Sequence, residues 1–138
     1  MDAERMIYVL DSCAMIAYLR KEIGAGVIQE IIVDSANICY AHSVNLCEVY
    51  YDFWRVGGRV AAEQAIEDLL VLGIVEKNDF DQLFWKEAGK IKANNKASLA
   101  DCIAVVPYNQ LGGTVLTSDH HEFDKLAQDR VCSIQFIR

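Results

Sequence analysis

The run MIYVL at positions 6–10 is apolar from end to end, and TVL at 114–116 has the same character. A strand with one wet face would alternate apolar and polar residues. These runs do not, so they suit a sheet covered on both sides. Segments of helical period separate them. Strands alternating with helices require βαβ crossovers, a mostly parallel sheet and helices on both faces. An α/β fold is therefore expected.

The spacing predicts strands at 6–10, 37–41, 74–77, 114–117 and 132–137. It predicts helices from Ser12 to about Arg20 and from Ala25 to Asp34. A third, capped by Ser43, should run to about Arg55. Gly57-Gly58 should break it before a helix over 59–72 that stops at Gly73. Asn78 is the expected cap of a helix that gathers Phe80, Leu83, Phe84, Ala88 and Ile91 on one face. Ser98 should open another, which Pro107 should kink or end, and a short helix should lie near 123–128.

At 138 residues, one domain over 1–138 is expected. With 53% hydrophobic and 24% charged residues, intrinsic disorder is excluded. No apolar run reaches the ~18 residues of a membrane span. The opening MDAERMIYVLDS has too short an apolar part, and the wrong charge, for a secretory signal. A soluble cytoplasmic protein with no membrane partner is expected. Five cysteines without CxxC spacing read as buried, reduced thiols and exclude a zinc site. The formal net charge of −7 (13 Lys and Arg against 20 Asp and Glu) argues against a general nucleic-acid coat. It leaves room for an enzyme that works on RNA through a metal and a small basic patch.

In open parallel sheets, ligands sit beyond the carboxyl ends of the strands. Asp11 follows the first strand, and Ser118 and Asp119 follow TVLT. Asp101 lies in SLAD, at the start of the helix that feeds TVLT, and Glu48 lies in the helix after the second strand. Each has a plain alternative. Asp11 and Asp119 suit helix caps, and Ser98 with Asp101 has capping-box form. Glu48 suits a solvated helix charge, although it lies on or beside the apolar stripe of Val44 and Tyr51, a poor place for a free carboxylate. If the acids converge, each pair at ~4 Å repels by roughly 4 kcal/mol at an effective dielectric near 20. With oxygen donors alone, the neutralising ion would be Mg²⁺ or Mn²⁺.

VLDSCAMIAYL, NLCEVYY, ASLADCIAV and TSDHHEF, in this order and spacing, resemble the motifs of PIN-domain ribonucleases. More closely, they resemble the toxins of VapBC-type toxin–antitoxin pairs. The resemblance covers nearly the whole chain. It implies a three-layer α/β/α sandwich, metal-dependent cleavage of RNA, and Asp11, Glu48, Asp101 and Asp119 as catalytic and metal-binding residues. Ser12, Thr117 and Ser118 match the supporting polar positions. A homodimer and a VapB-like antitoxin are the implied partners. Other readings are a PIN nuclease of RNA processing and a catalytically silent PIN-like binding module.

Lys90, Lys92 and Lys96, just ahead of Asp101, are a candidate phosphate track; their plain alternative is a solvated helix end. His120 and His121, being adjacent, cannot act as paired zinc ligands on a helix, and His42 reads as a loop residue. Tyr50, Tyr51, Phe53 and Trp54 suit base stacking, or a core or subunit interface. Other doubly wound folds fit poorly. Asp11-Ser12-Cys13 is neither the acidic pair of a phosphoacceptor nor DxD, and Gln29 stands where a dinucleotide loop needs its third glycine.

Overall fold

The computed structural model describes residues 6–128 and 132–138. The described elements run β1 (Met6–Leu10), α1 (Ser12–Leu19), α2 (Ala25–Val33), β2 (Asn37–His42), α3 (Ser43–Leu72), β3 (Val75–Lys77), α4 (Gln82–Asn94), α5 (Leu99–Leu111), β4 (Thr114–Thr117), α6 (His120–Gln128) and β5 (Ile134–Phe136). All the strand pairs are parallel, in the order β3-β2-β1-β4-β5. The chain winds outward from β1 through β2 to β3, then returns to β4 on β1's other side. That reversal opens a crevice at the carboxyl ends of β1 and β4.

The strands are apolar throughout because both sheet faces are covered. Leu116 joins a core with Met15, Ile28, Leu46, Val49 and Leu69, from α1, α2 and α3. Its neighbour Val115 points the other way, into a core with Phe84, Ile91, Val105, Phe123 and Leu126, from α4, α5 and α6. The period-two alternation of a strand thus divides one apolar run between two layers, and the architecture is an α/β/α sandwich. No helix among the described residues is long and apolar enough to cross a membrane.

Several element boundaries differ from the sequence expectation. α4 is capped by Asp81, whose Oδ1 accepts from the Phe84 N–H at 2.9 Å, and not by Asn78. Phe80 is drawn off the helix to His42 and Phe84, with ring centroids at 6.1 and 5.8 Å, and Leu83 faces solvent. His42 replaces Ser43 as the cap of α3: its Nδ1 accepts from the Val44 N–H at 3.1 Å. It is no loop residue but the buried end of β2, with Nε2 2.7 Å from the Asp79 carbonyl. Those two partners assign the tautomer, with the proton on Nε2. Ser43 Oγ donates to Glu76 instead.

Gly58, at φ 79° and ψ −170°, interrupts the helical backbone of α3 as expected and divides it into two helices across a kink, in a conformation that few side chains tolerate. α5 runs through Pro107 to Leu111; the proline forfeits one helical hydrogen bond. α6 starts at His120, three residues earlier than expected. The cysteines are free, but not all are buried: Cys47 is exposed and Cys13 half-buried. A helix of this amphipathic kind leaves one face wet, and Cys47 falls on that face of α3.

Gly113 lies hard against β1. A Cβ there would sit 2.7 Å from the Ile7 carbonyl oxygen. Gly113→Ala is expected to cost about 1–3 kcal/mol, because β4 must move to relieve the overlap. Urea unfolding measures this; an unchanged midpoint would contradict such close packing.

Candidate active site

Asp11 leaves the end of β1 and caps α1. Its Oδ1 accepts from the Ala14 N–H at 2.8 Å, and its Oδ2 accepts from the Thr117 hydroxyl at the end of β4. Thr117 Oγ1 in turn accepts the Asp119 N–H at 3.0 Å. One buried threonine therefore ties together the segments that leave the two central strands. Asp119 caps α6, its Oδ1 accepting from the Glu122 N–H at 3.1 Å. Capping and convergence are not alternatives here, since the caps themselves aim the carboxylates. Ser12 is buried at the start of α1, and Ser118 is half-buried between Thr117 and Asp119.

Asp101 approaches from α5. Its N–H donates to Ser98 Oγ at 3.2 Å, which is one half of the expected capping box. The other half is made by a different residue: the Ser98 N–H donates to Glu122 Oε2 at 3.1 Å. Glu122 is thereby brought beside Asp101. Oxygens of Asp101, Asp119 and Glu122 all lie within 4.8 Å of one another. Sequence reasoning missed Glu122. The available signal was its place one helical turn after Asp119, which puts both on one side of α6.

Glu48 is half-buried on α3 and is held from below. Asn45, fully buried, reaches Glu48 Oε1 at 3.4 Å and the Ala100 carbonyl at 3.2 Å through Nδ2. It links α3 to α5 one residue ahead of Asp101. Asn45 Oδ1 is buried with no partner among the described residues. Glu48 stands outside the closest carboxylate group, yet its charge still acts on Asp101.

The electrostatics follow from burial and crowding. Burial pushes Asp11 up to about 7, against the hydrogen bonds from Thr117 and Ala14, and Asp101 and Asp119 raise it further. Burial likewise pushes Asp101 up to about 6, with Asp119, Glu122 and Glu48 adding repulsion. Cys13, on the first turn of α1, is driven up to about 12 by burial and then by Asp11, Asp119, Asp101 and Glu48. Its thiol is therefore protonated and a poor nucleophile. Uncompensated, several such charge pairs would rival the ~5–15 kcal/mol of a whole domain's stability. An all-oxygen set at this spacing fits a hard divalent cation.

The remaining candidates separate. Lys90 and Lys92 are exposed on α4, Lys92 in its last turn. Lys96 lies in the α4–α5 turn and borders a cavity that also includes Glu122. His120 is a fastener, stacked on Phe136 at 3.9 Å and set between Asp124 at 3.0 Å and the Arg138 carbonyl at 2.8 Å. Those two acceptors raise its pKa. Phe53 packs against the core, while Tyr51 and Trp54 are about half exposed.

The domain is a parallel α/β/α sandwich with a cluster of carboxylates at its switch point. Residues 8–129 match the PIN domain family model, and the chain belongs to that family. No curated protein sequence matches it. Its fold is similar to VapBC2 from Rickettsia felis bound to a promoter DNA fragment, with a TM-score of 0.72 and 14% identity over 95% of this chain and 98% of that one. It is similar to VapC20 of Mycobacterium tuberculosis, a sarcin–ricin loop cleaving toxin, with a TM-score of 0.67 and 14% identity over 86% and 94%. VapBC-5 of the same organism, from the VapBC family of toxin–antitoxin systems, gives a TM-score of 0.60 and 17% identity over 96% and 98%. At such identities the likeness speaks for the fold alone.

Proposed function

We propose that this protein is a metal-dependent endoribonuclease, the toxin of a VapBC-type toxin–antitoxin pair, acting in the cytoplasm. The observation that carries this reading is the oxygen-only cluster of Asp101, Asp119 and Glu122, with Asp11 clamped beside it. Asp11, Asp101 and Asp119, joined by Glu122 and Glu48, would hold Mg²⁺ or Mn²⁺. When bound, such an ion lowers the pKa of a water and withdraws charge from a phosphoryl oxygen.

The chain's own residues do the positioning. The bonds from Ala14 and Thr117 fix the Asp11 carboxylate before any ligand arrives. Asn45 holds Glu48 toward the cleft, where its carboxylate orients the attacking water and accepts its proton. Ser12 and Ser118 offer hydroxyls to a phosphate or to a bound water. Lys96, and farther out Lys90 and Lys92, offset the repulsion that RNA meets at a chain of net charge −7. The partners proposed are RNA, a VapB-like antitoxin and a second copy of this chain. The toxin–antitoxin systems among the fold's neighbours support the antitoxin.

Purified protein, incubated with a panel of transfer and ribosomal RNAs, is expected to cut in Mg²⁺ or Mn²⁺ and to stop in a chelator. Asp101→Asn should be at least ~100-fold slower with an unchanged circular dichroism spectrum. Intact RNA after incubation of folded wild-type protein with either ion would refute the assignment.

A further inference from the structure

We propose that the cavity between the α4–α5 turn and α6 is a phosphate subsite, seating a backbone phosphate of the RNA beside the bond that is cut. This rests on the nuclease reading above. The cavity has a volume of about 190 Å³. Asn95, Lys96 and Ala97 line it from the turn, and His121, Lys125 and Leu126 line it from α6 together with Glu122. Ala97 and Leu126 are buried, so the base of the cavity is apolar and fixed. Asn95 Nδ2 donates to the Ile91 carbonyl at 2.8 Å and pins the turn to the end of α4.

Glu122 belongs both to this cavity and to the carboxylate cluster, so the cavity adjoins the reaction centre. Its remaining charges are of the opposite sign to the cluster. Two lysines and an imidazole face one carboxylate, and that carboxylate already accepts the Ser98 N–H. Asp11, Glu48, Asp101, Asp119 and Glu122 bring five acidic groups to the site, and a single divalent ion offsets only part of their charge. A polyanion therefore needs fixed cations beside the centre, and Lys96 with Lys125 are cations built into a concave wall there. Such contacts bind and orient the strand without sensing its sequence.

The test compares wild type, Lys96→Ala, Lys125→Ala, the double alanine variant, the double arginine variant and Lys90→Ala/Lys92→Ala, using a single-stranded RNA substrate in Mg²⁺. The double alanine variant is expected to raise KM roughly tenfold with kcat within about twofold. The slope of log affinity against log salt should fall by about 0.7 per lysine removed. The double arginine variant should keep the wild-type slope, and Lys90→Ala/Lys92→Ala, whose lysines lie farther out on α4, should lower it by less than the double alanine variant does. If the double alanine variant cuts RNA with wild-type KM and salt slope, the subsite is overturned while the nuclease reading stands. If wild type neither binds nor cuts RNA, both fall together.

Discussion

Asp11→Asn is expected to abolish RNA cleavage, by at least ~1000-fold, while raising the melting temperature of the metal-free protein at pH 8. The loss follows from charge. A neutral amide is a poor partner for a hard cation, and the ion's share in stabilising the reaction is several kcal/mol, or a factor of ten for each ~1.4 kcal/mol. The stabilisation follows from burial. Asp11 is fully buried, and its carboxyl is pushed up to about 7, so at pH 8 it is ionised where ionisation is unfavourable.

Asparagine keeps the cap on Ala14, for it serves as well as aspartate in that role. Its amide would donate to Thr117 Oγ1, which also receives the Asp119 N–H, and the threonine proton would lose its acceptor. That loss costs about 1 kcal/mol, less than the relief of a buried charge. A net rise of about 3 °C is expected by calorimetry. A variant that cuts within tenfold of wild type, or melts lower than wild type without metal at pH 8, would contradict the role given to Asp11.

Metal affinity should climb roughly a hundredfold between pH 5.5 and 7.5, because the ion must displace protons from Asp11 and Asp101. Both carboxyls titrate above their ordinary value of 3.8, near 7 and near 6. Folding without metal therefore takes up protons between about pH 4 and 7. The associated stability is fully present below about pH 4 and is lost as the pH rises through 6 and 7. A bound divalent ion favours the ionised forms and opposes that loss. MgCl₂ should thus raise the melting temperature strongly at pH 8 and little at pH 5. Calorimetric titration at pH 6 should show protons released on binding, as a heat that varies with the buffer's ionisation enthalpy. Equal Mg²⁺ affinity at pH 5.5 and 7.5 would show that these carboxylates are not the ligands.

The alternation of strand and helix was legible because it depends on local periodicity. MIYVL and TVL could be read as strands covered on both faces, and α1, α2 and the two halves of α3 lie where spacing puts them. Caps were legible only as a choice among equals. Asn78 and Asp81 are both competent, and the start of α4 was decided by Phe80 packing on His42 and Phe84. Ser43 has the right chemistry for a cap, yet Glu76, 33 residues away, engages its hydroxyl.

At the candidate site, Asp11 and Asp119 stood out because Asp11 directly follows β1 and Asp119 lies two residues past the end of β4, its neighbour in the sheet. Glu122 did not, since its place depends on a backbone N–H at Ser98, 24 residues distant. Asn45 was unremarkable in sequence for the same reason: its partner is the carbonyl of Ala100, 55 residues on.

By itself the amino-acid order determined which segments are strands or helices and which carboxylates leave them at the ligand-binding edge, because those properties rest on neighbours within a few residues. Tertiary structure alone decided which carboxylate oxygens meet. The winding β3-β2-β1-β4-β5 sets the ends of β1 and β4 side by side, and single hydrogen bonds across the crevice then orient each acid. Contacts between distant residues exist only once the sheet has formed, so local spacing carries no trace of them.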